Sequence, residues 1–312
     1  MKRRFQPHND PRQANLIELP ERPKGEKPIR RLLHPIWTKN KAKLIERYLF
    51  LFVQITKCGT YIDGFAGPQQ PSRKDMWAAK LVLNIHLLQH FHLFELNGAK
   101  VKLLELLKRE QPERDTRGRR LKREVKIYPG DFNREVLPLL KGESIPDTEP
   151  VFCLLDQRMF ECHWSTVEAL ARYKSDKHNK FEIFYFFGIG WVKRSISGIK
   201  KNFTILKDWW GREDWEDLRN WTRDEILNEM VRRFRDDLGY KSVQPYPIFK
   251  RQNSGDVMYY MIHATDHADA PDLMARAYNT ALQRKGKQLS MFPEPATQTR
   301  GTKPRTRAAR TN

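Results

Sequence analysis

The run Val151-Phe152-Cys153-Leu154-Leu155 is apolar at every position and stops at Asp156. A strand with one face in water alternates apolar and polar residues, whereas an unbroken apolar run predicts a strand covered on both faces, as at the centre of a parallel sheet. Three further runs read as strands: Phe91-His92-Leu93-Phe94-Glu95, Val125-Lys126-Ile127-Tyr128, and Phe181 to Phe187. Helical periodicity fills the intervals at Val101 to Arg109, Arg134 to Leu140, and Trp164 to Tyr173, the last after a candidate N-cap at His163 or Ser165. Strands alternating with helices predict an α/β fold with a Rossmann-like, doubly wound, mostly parallel sheet.

Toward the N-terminus, Trp37 to Leu51 carries Leu44, Ile45, Tyr48 and Leu49 at helical spacing. The apolar run Leu49 to Val53, the stretch Tyr61-Ile62-Asp63-Gly64-Phe65-Ala66-Gly67-Pro68-Gln69 and the segment Ala78 to Gln89 read as a strand, a small-residue turn and a helix start. Later, Lys207 to Leu238 holds Trp209, Trp210, Trp215 and Trp221 and predicts one or two helices, a Trp-rich insertion at about 200–240. Tryptophan at helical spacing is read as core in preference to a base-stacking platform. Val243 to Phe249 and Met258 to Thr265, joined by Lys250 to Asp256, predict an antiparallel hairpin, and Pro271 to Leu282 a closing helix. The expected organisation is a Pro-rich basic arm at 1–35, one domain at 36–284, and a disordered basic tail at 285–312.

Charge narrows the partners. The 58 Lys and Arg against 38 Asp and Glu give a formal charge of +20, which favours a polyanion such as nucleic acid. The plainer alternative is a basic surface without a dedicated ligand, since part of the excess sits in the terminal segments. Three dispersed cysteines, Cys58, Cys153 and Cys162, are too few for a disulfide framework and suggest a reducing compartment. With neither a membrane-length apolar run nor an apolar leader in view, the cytoplasm is expected.

Asp63, Glu95, Asp131 and Asp156 each fall at the end of an expected strand. In a doubly wound sheet ligands bind at the carboxyl ends of the strands, where acids can accept hydrogen bonds from ribose hydroxyls, an exocyclic amine or an ammonium. The turn with Gly64, Ala66 and Gly67 could admit part of a nucleotide-like ligand. Against both stand ordinary readings: strands often end in polar residues, and strand-to-helix turns are often glycine-rich for packing alone.

This combination resembles the class I S-adenosylmethionine-dependent methyltransferase fold, whose sheet ends in an antiparallel strand as the hairpin does here. Tyr61 to Pro68, Phe94-Glu95, Gly130-Asp131, Leu155-Asp156 with Trp164-Ser165-Thr166, and Tyr259 to Thr265 resemble the bacterial three-Cys-motif partner proteins (TcmP) over about residues 35–282. The resemblance implies S-adenosylmethionine as cofactor, with Asp63, Gly64 and Gly67, and Ala66 in the same turn, at its methionine part, Glu95 at the ribose and Asp131 at the adenine. It also implies a partner protein that carries the Cys motifs and resembles a radical S-adenosylmethionine protein; this chain lacks that motif. Ala66 stands where the family's loop often has a middle glycine. Asp156-Gln157-Arg158-Met159-Phe160 lacks the proline of amino-methylating DNA enzymes and places its aromatic later, which puts an adenine N-methyltransferase assignment in doubt. Asp156 remains the catalytic candidate, to orient or deprotonate a nucleophile. No trusted metal-ligand spacing is found: Cys162 and His163 are adjacent, and His263 and His267 straddle a strand end. The alternatives are a metal-dependent nuclease using the clustered acids, and a non-catalytic scaffold binding nucleic acid or protein.

Overall fold

Helix α1 (Ile36–Thr56) buries Leu44, Ile45, Tyr48, Leu49, Phe52 and Val53, a stripe that keeps helical spacing without interruption. The run Leu49 to Val53 is therefore the end of this helix and not a strand. The first strand, β1 (Thr60–Asp63), begins after it. The computed structural model describes residues 36–114, 117–118, 120–142, 145–174, 180–198, 203–249 and 257–282. The expected arm at 1–35, the tail at 285–312 and the hairpin turn at Lys250 to Asp256 lie outside these residues.

The glycine stretch does not lead directly into a long helix. Residues 64–77 form a loop with a short 3-10 turn, and α2 (Ala78–Val82) is only five residues long. Next come β2 (His90–Glu95), α3 (Gly98–Arg109), β3 (Glu124–Pro129), α4 (Phe132–Lys141), β4 (Val151–Leu155), α5 (Trp164–Arg172) and β5 (Glu182–Phe187). Asn97 caps α3 by accepting hydrogen bonds from the Ala99 and Lys100 amides; His163 occupies the N-cap of α5 without a side-chain bond. The second half holds α6 (Ile189–Gly198), α7 (Thr204–Trp210), α8 (Arg223–Arg232), the hairpin strands β6 (Ser242–Phe249) and β7 (Val257–Thr265), and α9 (Ala270–Leu282).

Seven strands form one sheet in the order β3-β2-β1-β4-β5-β7-β6. The first five in that order pair in parallel, while β7 runs antiparallel to both β5 and β6. This is the expected mostly parallel sheet with its terminal antiparallel hairpin. The order reverses between β1 and β4, so the carboxyl ends of these strands lead into crossovers on opposite faces, the place where sheets of this kind bind ligands.

The absence of alternation in β4 now has its cause. Val151, Cys153 and Leu155 enter one core with α4, α5 and α6, while Phe152 and Leu154 enter the other with α1, α3 and α9. Trp209, Trp210 and Trp215 are buried in the first core, as the packing reading expects. Arg233 joins them: its guanidinium lies 3.6 Å from the Trp164 ring centroid and 4.7 Å from that of Trp210, and it donates to the Trp210 carbonyl. At the start of β5, buried Glu182 accepts from Tyr48 of α1 and Thr265 of β7 and bonds His263 Nε2 at 2.8 Å. A helix and two strands are thereby tied to one carboxylate.

Candidate functional site

Burying a bare carboxylate between two apolar layers is costly, so an acid can terminate a strand more easily than sit within it. Asp63 and Glu95 are the last residues of β1 and β2, Asp156 follows β4 directly, and Asp131 follows β3 across Gly130. Since β3, β2, β1 and β4 are neighbours and parallel, the four acids stand in a row on one edge of the sheet.

Each has distinct surroundings. Asp131 Oδ1 accepts hydrogen bonds from the amide and side-chain nitrogen of Asn133, while Oδ2 has no hydrogen-bond partner among the described residues. Asn133 in turn bonds the Glu161 carbonyl and accepts from the His163 amide and the Thr166 hydroxyl, fixing the end of β3 to the start of α5. Glu95 accepts from the Gly67 amide through Oε2 and the Asn97 amide through Oε1, two of its four lone-pair sites. Beside it Leu96 is 74% exposed, and the Gly130 amide bonds the Glu95 carbonyl.

Asp63 is more enclosed. It accepts from the Tyr61 hydroxyl and the Phe65 amide, and burial raises its pKa to about 7. The small-residue turn behaves differently from a phosphate cradle. The amides of Gly64, Phe65, Ala66 and Gly67 donate to the Leu154 carbonyl, Asp63 Oδ1, the Phe94 carbonyl and Glu95 Oε2 respectively. All four donors are spent within the protein. Their smallness answers to packing: a Cβ on Gly64 would lie 3.1 Å from the Phe132 ring, and one on Gly67 would lie 2.0 Å from Glu95 Oε2 and 2.7 Å from Lys100 Cδ. The Lys100 stem and the Gly67 peptide accordingly cover the carboxylate of Glu95, and a ribose reaches it only when they shift.

Asp156 is paired. Lys41 of α1 places its ammonium 2.8 Å from Oδ1 and 2.6 Å from Oδ2, with both side chains largely buried. Burial still outweighs this partner and raises the Asp156 pKa. The same ammonium lies 5.5 Å from the Phe186 ring centroid and 5.7 Å from that of Tyr259. Lys41 was not among the residues read from the sequence; its partner is 115 positions away and no local pattern marks it. The loop that follows is held by Gln157, which donates to the Phe186 carbonyl and accepts from the Cys162 amide. Met159 there takes φ of 127°, a conformation side-chain-bearing residues rarely adopt.

A cavity of about 470 Å³ opens beside this pair, between the loop after β4, α6 and β7. Its lining includes Lys41, Arg158, Phe186, Trp191, Arg194 and Tyr259.

The other candidates fall into structural settings. Cys153 and Cys162 are buried thiols whose pKa burial raises. His263 is bonded to Glu182, and His267 Nδ1 accepts from the Asp269 amide. Among the described residues no group of three or more His, Cys, Asp or Glu is placed to hold a metal ion. Among the same residues no helix is long and apolar enough to cross a membrane.

No protein-family model matches the chain. No curated protein matches it either. Among solved structures it is similar to the methyltransferase domain of bacterial CtHen1, at 12% identity and a TM-score of 0.39 over 73% of this chain and 99% of that one. Protein LPL1258 of Legionella pneumophila, described under the family model DUF519, aligns at 9% identity and a TM-score of 0.42 over 78% and 90%. Superpositions this loose carry nothing about function; the strand order speaks for the fold.

Proposed function

We propose that this chain binds S-adenosylmethionine on the carboxyl edge of β3, β2 and β1 and transfers its methyl group to nucleic acid or to a component of a nucleic-acid-processing system. One observation carries the reading: Asp131, Glu95, Asp63 and Asp156 stand in order along the ends of four adjacent parallel strands. The donor set suits a nucleoside. Asp131 Oδ2 is open to an exocyclic amine, Glu95 keeps lone pairs for ribose hydroxyls once the Lys100 stem and the Gly67 peptide shift, and exposed Leu96 next to Glu95 offers an apolar surface. Gly64, Ala66 and Gly67 act indirectly: their amide donors are used within the protein, and the space above Gly64 and Gly67 is filled by Phe132, Glu95 and Lys100. Asp63 lies beneath that turn and holds its shape through Phe65. The cofactor would supply an electrophilic methyl group. Asp156 would orient the acceptor or take its proton, with Lys41 fixing the carboxylate.

Calorimetric titration of S-adenosylmethionine into the folded chain tests this. Binding is expected, weakened about tenfold or more in Glu95→Ala, the range for losing a charged hydrogen-bond partner. No heat with the folded wild type would remove the cofactor. Labelled methyl transfer to DNA, RNA and cell extract then tests the reaction. A second reading is favoured by the Lys41–Asp156 ion pair, which already engages the candidate catalytic carboxylate: a scaffold that binds cofactor and nucleic acid without transfer. The partner carrying the three-Cys motif rests on the sequence resemblance alone, and co-purification with such a protein would test it.

A further inference from the structure

We propose that the cavity between the loop after β4, α6 and β7 binds a nucleotide unit, its ring against Phe186 and Trp191 and its phosphate on Arg158 and Arg194. The inference rests on the reading of this edge as the acceptor side of a methyltransferase, and it specifies what the acceptor is.

Charge argues first. An acid at the end of β4 would by itself suit an amine, but Lys41 neutralises Asp156 through both carboxylate oxygens. What the cavity presents beyond that pair is cationic: Arg158 and Arg194 line it, both exposed, and neither guanidinium has an ion-pair partner among the described residues. The lining holds no acid, and of the Lys41–Asp156 pair only Lys41 belongs to it. An anion is favoured, and two forked guanidiniums match the geometry of a phosphate.

Shape argues second. Phe186, Trp191 and Tyr259 form an aromatic wall, with ring centroids 6.1 Å apart for Phe186 and Trp191 and 4.5 Å apart for Phe186 and Tyr259. Trp191 is only half-buried, so part of its ring remains available for stacking. The Tyr259 hydroxyl, shut away from water in the wall, has no hydrogen-bond partner among the described residues. A buried hydroxyl left unmatched is costly, and a polar group of an occupant beside it would satisfy it. At about 470 Å³ the space suits one nucleotide.

The test titrates the full chain with thymidine 5′-monophosphate, thymidine and inorganic phosphate, followed by Trp fluorescence and calorimetry in about 0.15 M salt to screen the basic surface. A pyrimidine avoids an adenosine site, and saturating S-adenosylhomocysteine is included in a parallel series. The monophosphate is expected to bind at least about tenfold more tightly than either fragment, and the exposed double substitution Arg158→Gln, Arg194→Gln to weaken it by about tenfold or more. Monophosphate binding no tighter than phosphate, or indifferent to the double substitution, would overturn the proposal. A short single strand is the second arm. Binding tighter than the monophosphate with the same dependence on the two arginines assigns the cavity to nucleic acid; strand binding weaker than the monophosphate assigns it to free nucleotides. Strand binding indifferent to those arginines counts against the cavity. S-adenosylmethionine titrated into the same samples separates the two readings, because its binding survives failure of the nucleotide site, and nucleotide binding survives failure of the cofactor site.

Discussion

Asp63 shows how a candidate site residue also sets stability. In the folded chain it titrates near pH 7, with burial as the main cause and the Tyr61 and Phe65 hydrogen bonds opposing it. Unfolded, an aspartate titrates near ~3.9. Between those values the folded chain holds a proton that the unfolded chain has released, so stability falls as pH rises through the window. Asp63→Asn carries no proton to lose and keeps an acceptor for the Phe65 amide. Relative to wild type, the variant should therefore gain stability from about pH 4 to about pH 8, by roughly 3–4 kcal/mol across the range. Urea denaturation at several pH values measures it, and parallel pH profiles for the two proteins would contradict the buried, protonated Asp63.

Among the elements, α7 ends in a way that a single methyl group can test. Gly211 takes φ of 69° as its C-cap, and a Cβ there would lie 2.6 Å from Trp164 Cβ. Gly211→Ala combines a left-handed alanine with overpacking against a helix that cannot easily retreat, for a loss of about 2–4 kcal/mol. Gly98→Ala, at the open start of α3 where nothing lies within 4 Å, should instead be neutral or gain up to ~1 kcal/mol. Equal effects in denaturant melts would refute the assigned C-cap. The central strands β4 and β5 were legible in the sequence because burial on both faces favours apolar residues along their length. The acids were legible because desolvation pushes them to strand ends. The helix α6 was not, since Gly190 and Gly198 weaken its local signal and its helicity is supported by burying Ile189, Val192 and Ile196. The end of α1 was misread because a short apolar run suits helix and strand alike. Nor could local pattern show that the amides of Gly64 to Gly67 are consumed internally, or that Lys41 closes on Asp156, because the partners come from distant strands and helices.

For the whole molecule the dominant fact is its charge of +20. A field of that sign attracts any polyanion, so nucleic-acid binding alone would not implicate the cavity. Salt separates the two contributions. A ligand with one phosphate releases few counterions, and for a single-strand slope its affinity should fall only about threefold between 50 and 200 mM salt. A strand whose phosphates also meet the basic surface, at about five contacts, should lose on the order of a hundredfold over the same interval. Titrating both ligands at three salt concentrations gives the two slopes. If the slopes coincide and are shallow, the surface charge does not take part in binding the strand, and recognition is confined to a single phosphate. If the strand slope is steep in wild type and becomes less so by the contribution of one or two phosphates in Arg158→Gln, Arg194→Gln, then the cavity engages a nucleotide of the strand while the surrounding charge holds its neighbours.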